Sequence, residues 1–123
     1  MQRINFIRKT KSVASVFVIL FLFSFAPFHH GWSSYDQTKP LNFTGKILEM
    51  SYDNPHGMIR LEVQKKKWTV VLAPPSRMEA RGLTREMLTV GGTATVVGYP
   101  HLKEKDEMRA ERITIGEKTT ELR

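Results

Sequence analysis

From Leu41 to Leu122 apolar and polar residues alternate with a period of two, and each run is cut short by Gly, Pro, Asn or Asp. A β-strand sends successive side chains to opposite faces, so this rhythm suits a half-buried sheet and does not suit an amphipathic helix. In the first run Leu41, Phe43 and Ile47 share one face with Gly45 between them, while Asn42, Thr44 and Lys46 take the other. The run continues to about Tyr52, which is long for one strand. A Gly at its middle predicts a bulge or bend through which one curved strand serves two sheets or both sides of a barrel.

Asp53-Asn54-Pro55-His56-Gly57 is a dense turn signal, because Asn and Asp bond their own backbone and Pro fixes φ. A second strand follows with Ile59, Leu61 and Val63 inward and Arg60 and Glu62 outward, and a third carries Trp68, Val70 and Leu72 on one face. Lys65-Lys66-Lys67, between them, reads as the solvated turn of a hairpin. Pro74-Pro75 stops the third strand. Ser76 is the expected N-cap of a short helix through Arg81 that Gly82 ends, and Thr84 the expected cap of a further turn, Arg85 to Leu88. The fourth strand is expected over Val90 to Tyr99, opened by Gly91-Gly92, and the fifth over Glu107 to Ile115. A last hairpin turns at Gly116-Glu117-Lys118 into Thr119 to Leu122. Three antiparallel strands, a short helix and two or three more strands predict an all-β chain with one short helix. The architecture that fits is a small Greek-key barrel of the oligonucleotide/oligosaccharide-binding (OB) type, with a small β-sandwich as the alternative.

At 123 residues the chain has room for one such domain. It contains no Cys, which excludes disulfide frameworks, thiolate zinc sites, haem attachment through CxxCH and thiol catalysis. Nineteen Lys and Arg against twelve Asp and Glu give a net charge of +7, but the surplus is concentrated at one end. Arg3, Arg8, Lys9 and Lys11 precede an apolar run from Val13 to Phe25, and no acid occurs before Asp36. A cationic start followed by about 13 apolar residues, short of the roughly 20 that span a bilayer, is the pattern of a secretory signal. Ser24 and Ala26 supply the small residues that signal peptidase prefers, with Pro27 in the disfavoured position after the cut. The expected organisation is a signal peptide over 1–26, an extended N-terminal arm over 27–40 and the barrel over 41–123, in a periplasmic or secreted protein. Membrane contact is expected only through the signal segment, if it is uncleaved. Nineteen basic residues less the four at the start leave fifteen against the same twelve acids. Polyanion binding grows with the number of phosphates neutralised, so that balance argues against nucleic acid as a partner.

The chain has no Ser in a GxSxG turn, and the pair Glu79 and Glu86 falls on the presumed helical surface, so no enzyme activity is expected. The four histidines all fall in expected loops: His29 and His30 in the arm, His56 in the first turn and His101 after the fourth strand. In an OB-type barrel the loops of His56 and His101 lie on one rim, where the arm can add His29 or His30. Imidazoles without thiolate suit Cu(II), Zn or Ni(II), which makes the four histidines candidate metal ligands and Cu or Zn the candidate cofactor. Cleavage after Ala26 would also place His29 third from a free amine, an arrangement that binds Cu(II) through four nitrogens. Against this stands the ordinary role of a turn histidine, bonding the local backbone. Met50, Met58, Met78, Met87 and Met108 are scattered and read as core or edge residues. Trp32, Tyr35, Tyr52, Trp68 and Tyr99 either line a shallow face for a sugar or peptide or belong to the core. Arg77 and Arg81, four apart, either grip a carboxylate or phosphate or form a solvated helix face.

His29-His30-Gly31-Trp32, Thr44-Gly45, Asn54-Pro55-His56, Trp68, Arg81-Gly82-Leu83-Thr84, Val90-Gly91 and Val96-Val97-Gly98-Tyr99-Pro100 together resemble a family of small exported bacterial proteins of unknown function. The resemblance covers the whole stretch after the signal. It implies export and an OB-like barrel and implies no activity. The sequence thus predicts an exported barrel that binds an unknown protein or small ligand through its loop rim, with a histidine-held metal as the sharpest form. A non-metal interaction domain for a peptide, glycan or partner protein, working across strands two and three, is the alternative.

Overall fold

The structure, a computed structural model, describes residues 31–123; the expected signal segment, His29 and His30 lie outside the described residues. The compact unit runs from Trp32 to Arg123. Its elements are β1 (Leu41–Ser51), β2 (Met58–Val63), β3 (Lys66–Val71), α1 (Pro75–Ala80), β4 (Thr93–Pro100), β5 (Glu107–Ile115) and β6 (Lys118–Glu121). They form one sheet in the order β3-β2-β1-β4-β5-β6, and a parallel pairing of β3 with β5 closes the first five strands into a mixed barrel of the small OB-like kind.

β1 makes the closure possible. Over Leu41–Lys46 it pairs with β4, and over Lys46–Ser51 with β2, with a register shift between Ile47 and Glu49. The main chain crosses so closely at Gly45 that an added Cβ would collide with the Glu62 carbonyl. Past the crossing, the Ile47 N–H donates to Gly92 O and the Ile47 carbonyl accepts from the Gly91 N–H, which anchors the bend. Inside, Ile47, Ile59, Leu61, Val70, Ala94, Val96, Met108, Ala110 and Ile113 make one cluster, joined by Met78, Leu83 and Leu88 from α1 and the segment after it.

Local chemistry explains the departures from the expected boundaries. The β2–β3 hairpin turns on Gln64 and Lys65, both at positive φ, as a two-residue hairpin of mirror-image type demands. Pro75, not Ser76, opens α1, since proline's fixed φ and missing N–H are harmless at the first helical position. Thr84 does precede a 3-10 turn, Arg85–Met87, but makes no side-chain cap bond. β4 begins at Thr93 and not Val90, because Thr89–Gly92 form a turn closed by Gly92 N–H to Thr89 O, with Gly91 at φ 91° and Val90 left exposed. Nor does the arm stay extended: Gly31–Ser34 form a 3-10 turn and Tyr35 is buried.

Replacing Gly45 by Ala inserts a methyl group where two backbones touch. Gly45→Ala is expected to destabilise the chain by about 1–3 kcal/mol, read from denaturant unfolding, whereas Gly91→Ala faces open space and acts only through its positive φ.

Candidate functional site

The parallel β3–β5 pairing sets Thr69 beside Glu107 and Val71 beside Arg109. Met108 is fully buried in the core, so by the two-residue period Glu107 and Arg109 share the opposite, outward face. Both histidine-bearing loops reach this short stretch. The β1–β2 loop is held at the end of β3 by Gly57 N–H to Ala73 O and Leu72 N–H to Gly57 O, and it brings His56 Nε2 to 3.4 Å from Arg109 Nη2. The β4–β5 loop starts with His101, whose N–H donates to Glu107 O and whose Nε2 lies 3.8 Å from Glu107 Oε2.

His101 has its tautomer set by its own loop. Nδ1 accepts hydrogen bonds from the Lys103 and Glu104 N–H groups at 3.0 and 2.9 Å, so the neutral ring carries its proton on Nε2, facing the Glu107 carboxylate. A metal ion at Nε2 would need that proton moved to Nδ1 and both backbone bonds broken. His56 in turn faces a guanidinium. The two histidines therefore come to the same part of the fold on different partners, and no group of three or more His, Asp or Glu placed to hold a metal occurs among the described residues.

The arm packs over the same outward face. Tyr35 forms a bridge with His101, Asp36 N–H donates to Pro100 O, and Leu102 N–H donates to Ser34 O. The buried Tyr35 hydroxyl donates to Glu107 Oε2 at 2.9 Å, and its ring meets His101 edge-on at 5.0 Å. Burial first, then the neighbouring carboxylate, raise the Tyr35 pKa well above the ordinary phenol value. Trp32 meets Tyr35 and Tyr99 in edge contacts, and the guanidinium carbons of Arg109 and Arg123 each lie 4.5 Å from its ring centre. Tyr99 donates to Glu111 Oε2, and that bond raises its pKa.

Arg109 is the one charged residue among the described set that is buried, at 8 % exposure. Its Nε has no hydrogen-bond partner, and no carboxylate among the described residues forms an ion pair with it, in contrast to Arg85, Arg112 and Arg123. Burial foremost, and the charges of Arg77 and Arg123 besides, pull its pKa below the ordinary arginine value.

Other expected candidates are used by the fold. Trp68 packs against Phe43, and the buried Tyr52 hydroxyl donates to Leu83 O. Arg77 donates to Leu122 O, and Arg81 to Glu121 O and Arg123 O, so the pair holds the end of β6 and covers backbone carbonyls on that edge instead of gripping an anion. An open groove of about 260 Å³ crosses β1, β2 and β3 between Glu49, Met50, Met58, Arg60 and Thr69. Glu107 and Arg109 are the site residues that sequence reasoning missed. The available signal was two opposite charges two apart at the start of a strand, flanking an inward Met.

A family model described as a family of unknown function, DUF6152, matches residues 18–109. No curated protein matches. Among solved structures, the chain is similar to part of TiaS in its complex with tRNA and ATP, at TM-score 0.49 and 18 % identity over 72 % of this chain and 20 % of the other. It is likewise similar to part of apo TiaS, a tRNA agmatidine synthetase, at TM-score 0.48 and 18 % identity over 67 % and 19 %. At these values the likenesses carry nothing over to this chain.

The Tyr35 bond gives a signed pH dependence. Because the folded pKa is raised, the unfolded phenol ionises first; the contribution is complete below about pH 10 and fades as pH climbs toward the folded value. Tyr35→Phe is expected to cost about 1–2 kcal/mol near neutrality and to lose less than wild type between about pH 9 and pH 11, measured by urea unfolding at each pH.

Proposed function

Since the chain belongs to DUF6152, a family of unknown function that brings no activity with it, we propose from the geometry that it is an exported, non-enzymatic binding module that acts through its loop rim. The observation that carries this reading is the gathering of chemistry at one place. His56, His101, Glu107, Arg109 and Tyr35 all meet on the outward face at the start of β5. Export rests on the cationic start and short apolar run. Among the described residues no helix is long and apolar enough to cross a membrane.

Within this reading the histidines His29, His30, His56 and His101 are the metal candidates. A Cu(II) or Zn(II) ion at the rim would take His101 Nε2, with Glu107 as its neighbour, only by moving the ring proton to Nδ1 and breaking the bonds from the Lys103 and Glu104 N–H groups, and would draw further imidazoles from His56 or from the arm. Titration of the exported protein with each ion tests it, beside a His56→Ala/His101→Ala variant. Binding at least about tenfold tighter than that of an unstructured His-containing control peptide, and lost in the double variant, is the expected result; binding no tighter than the control removes the metal. Intact-mass analysis of periplasmic material tests export, with a chain shortened by the first 26 residues expected.

The groove across β1–β3 favours a second reading, an interaction domain for a peptide, glycan or partner protein. Met58, 36 % exposed, offers an apolar side chain on the face that carries Glu49 and Arg60. Met58→Glu should abolish partner cross-linking from this face in intact cells while leaving the melting temperature unchanged; cross-linking that persists in the variant overturns this second reading.

A further inference from the structure

We propose that Arg109 is the receptor for a small oxyanion group, a carboxylate or phosphate carried by the ligand, bound side-on by its Nε and Nη2 donors. The proposal rests on the reading of the rim as the binding surface and names the ligand class that the surface takes. A guanidinium offers two kinds of contact, a face that stacks on aromatic rings and an edge of parallel N–H donors that fits a carboxylate or phosphate bidentately. In Arg109 the face is taken by Trp32, with the guanidinium carbon 4.5 Å from the ring centre. The edge is incompletely bonded: the buried Nε has no hydrogen-bond partner, and Nη2 meets only the His56 ring, at a long 3.4 Å.

The chain itself does not supply the anion. No described carboxylate forms an ion pair with Arg109, and residues 1–30 contain no Asp or Glu. Arg123 shares the same indole, 4.5 Å from its centre, and Arg77 acts on Arg109 as a further positive charge, so the field at this edge favours an anion. Arg123 has Gln37 and Glu111 beside it, and Arg77 a backbone carbonyl, whereas Arg109 is the buried cation without a counter-charge among the described residues. His56, at the same edge, sits in the β1–β2 loop and is the group that an entering oxyanion would displace or bond.

The decisive experiment is calorimetric titration of the full chain with inorganic phosphate and, separately, with acetate, at constant ionic strength set by chloride. Arg109→Met, Arg109→Lys and Arg60→Met are run beside it, the last in the groove across β1–β3. One saturable site is expected for at least one anion, with a melting temperature that rises with its concentration. Arg109→Met should weaken it by at least about tenfold and Arg109→Lys, which keeps the charge but not the fork, by less, with Arg60→Met unchanged. Which anion binds distinguishes a phosphate from a carboxylate ligand. No saturable binding of either anion by the wild type overturns the proposal, as does equal binding by Arg109→Met. Should Arg109→Met fail to fold, equal affinity in Arg109→Lys overturns it. Failure here with a metal still bound would leave the rim reading standing and remove only the oxyanion.

Discussion

The parallel contact between β3 and β5 is the constraint on which the rest of this molecule depends. Without it the sheet is an open, strongly curved ribbon; with it Val70 meets Met108, the barrel closes and the apolar cluster is sealed from water. The contact is possible only because β1 bends, and β1 bends where Gly45 lets its backbone touch Glu62. The same register that closes the barrel brings β5 alongside the end of β3, where the His56 loop is tied by Gly57. The position of the candidate site is thus a consequence of barrel closure, and no loop has to find its place independently.

A second layer of dependence runs from the arm. Two backbone hydrogen bonds, Asp36 N–H to Pro100 O and Leu102 N–H to Ser34 O, pair Tyr35 with His101 and join the arm to the end of β4 and the loop that follows, and one side-chain bond, Tyr35 to Glu107, ties it to β5. Trp32, Tyr35, Tyr99 and His101 form an aromatic layer over charges that would otherwise face water. Burial of Tyr35 itself, and then its bond to the charged Glu107, push the phenol toward its neutral form, which is the form that donates the bond. The arm and the carboxylate therefore reinforce each other, so the barrel's polar rim is ordered by residues outside the barrel.

Much of the fold is legible in the sequence because period-two patterning is a local property. Ile59 and Leu61 against Arg60 and Glu62, or Ile113 against Arg112, declare their faces within a few residues, and Gly45 declares the bend. The site is legible only in part. Topology puts His56 and His101 on one rim, but what each of them faces depends on β5, whose parallel partners in β3 lie 38 residues back along the chain, as Thr69 does from Glu107. The same holds for Trp32: an indole in a polar stretch carries no mark that two arginines far along the chain will stack on it. Long-range pairing decides such contacts, and alternation says nothing of it. The fourth strand starts later than its pattern suggests for a simpler reason, because Val90 looks like a strand residue until Gly91 and Gly92 are seen to close a turn.

A buried guanidinium without a carboxylate is an unusual element in so small a barrel. Removing such a charge from water costs several kcal/mol even after relaxation, and stacking on an indole offsets about 2 kcal/mol of that when the pair is desolvated. A neutral side chain of similar length, such as Met, would hold Trp32 in place without that penalty. If the arm were the whole purpose of position 109, the charge would only weaken the fold. The other buried positions on β5, Met108, Ala110 and Ile113, are apolar and tightly packed. Arg109 stands out from them in carrying a hydrogen-bonding edge that the fold satisfies only through the long contact of Nη2 with His56, and an underbonded donor on a desolvated cation is where an anionic ligand gains the most.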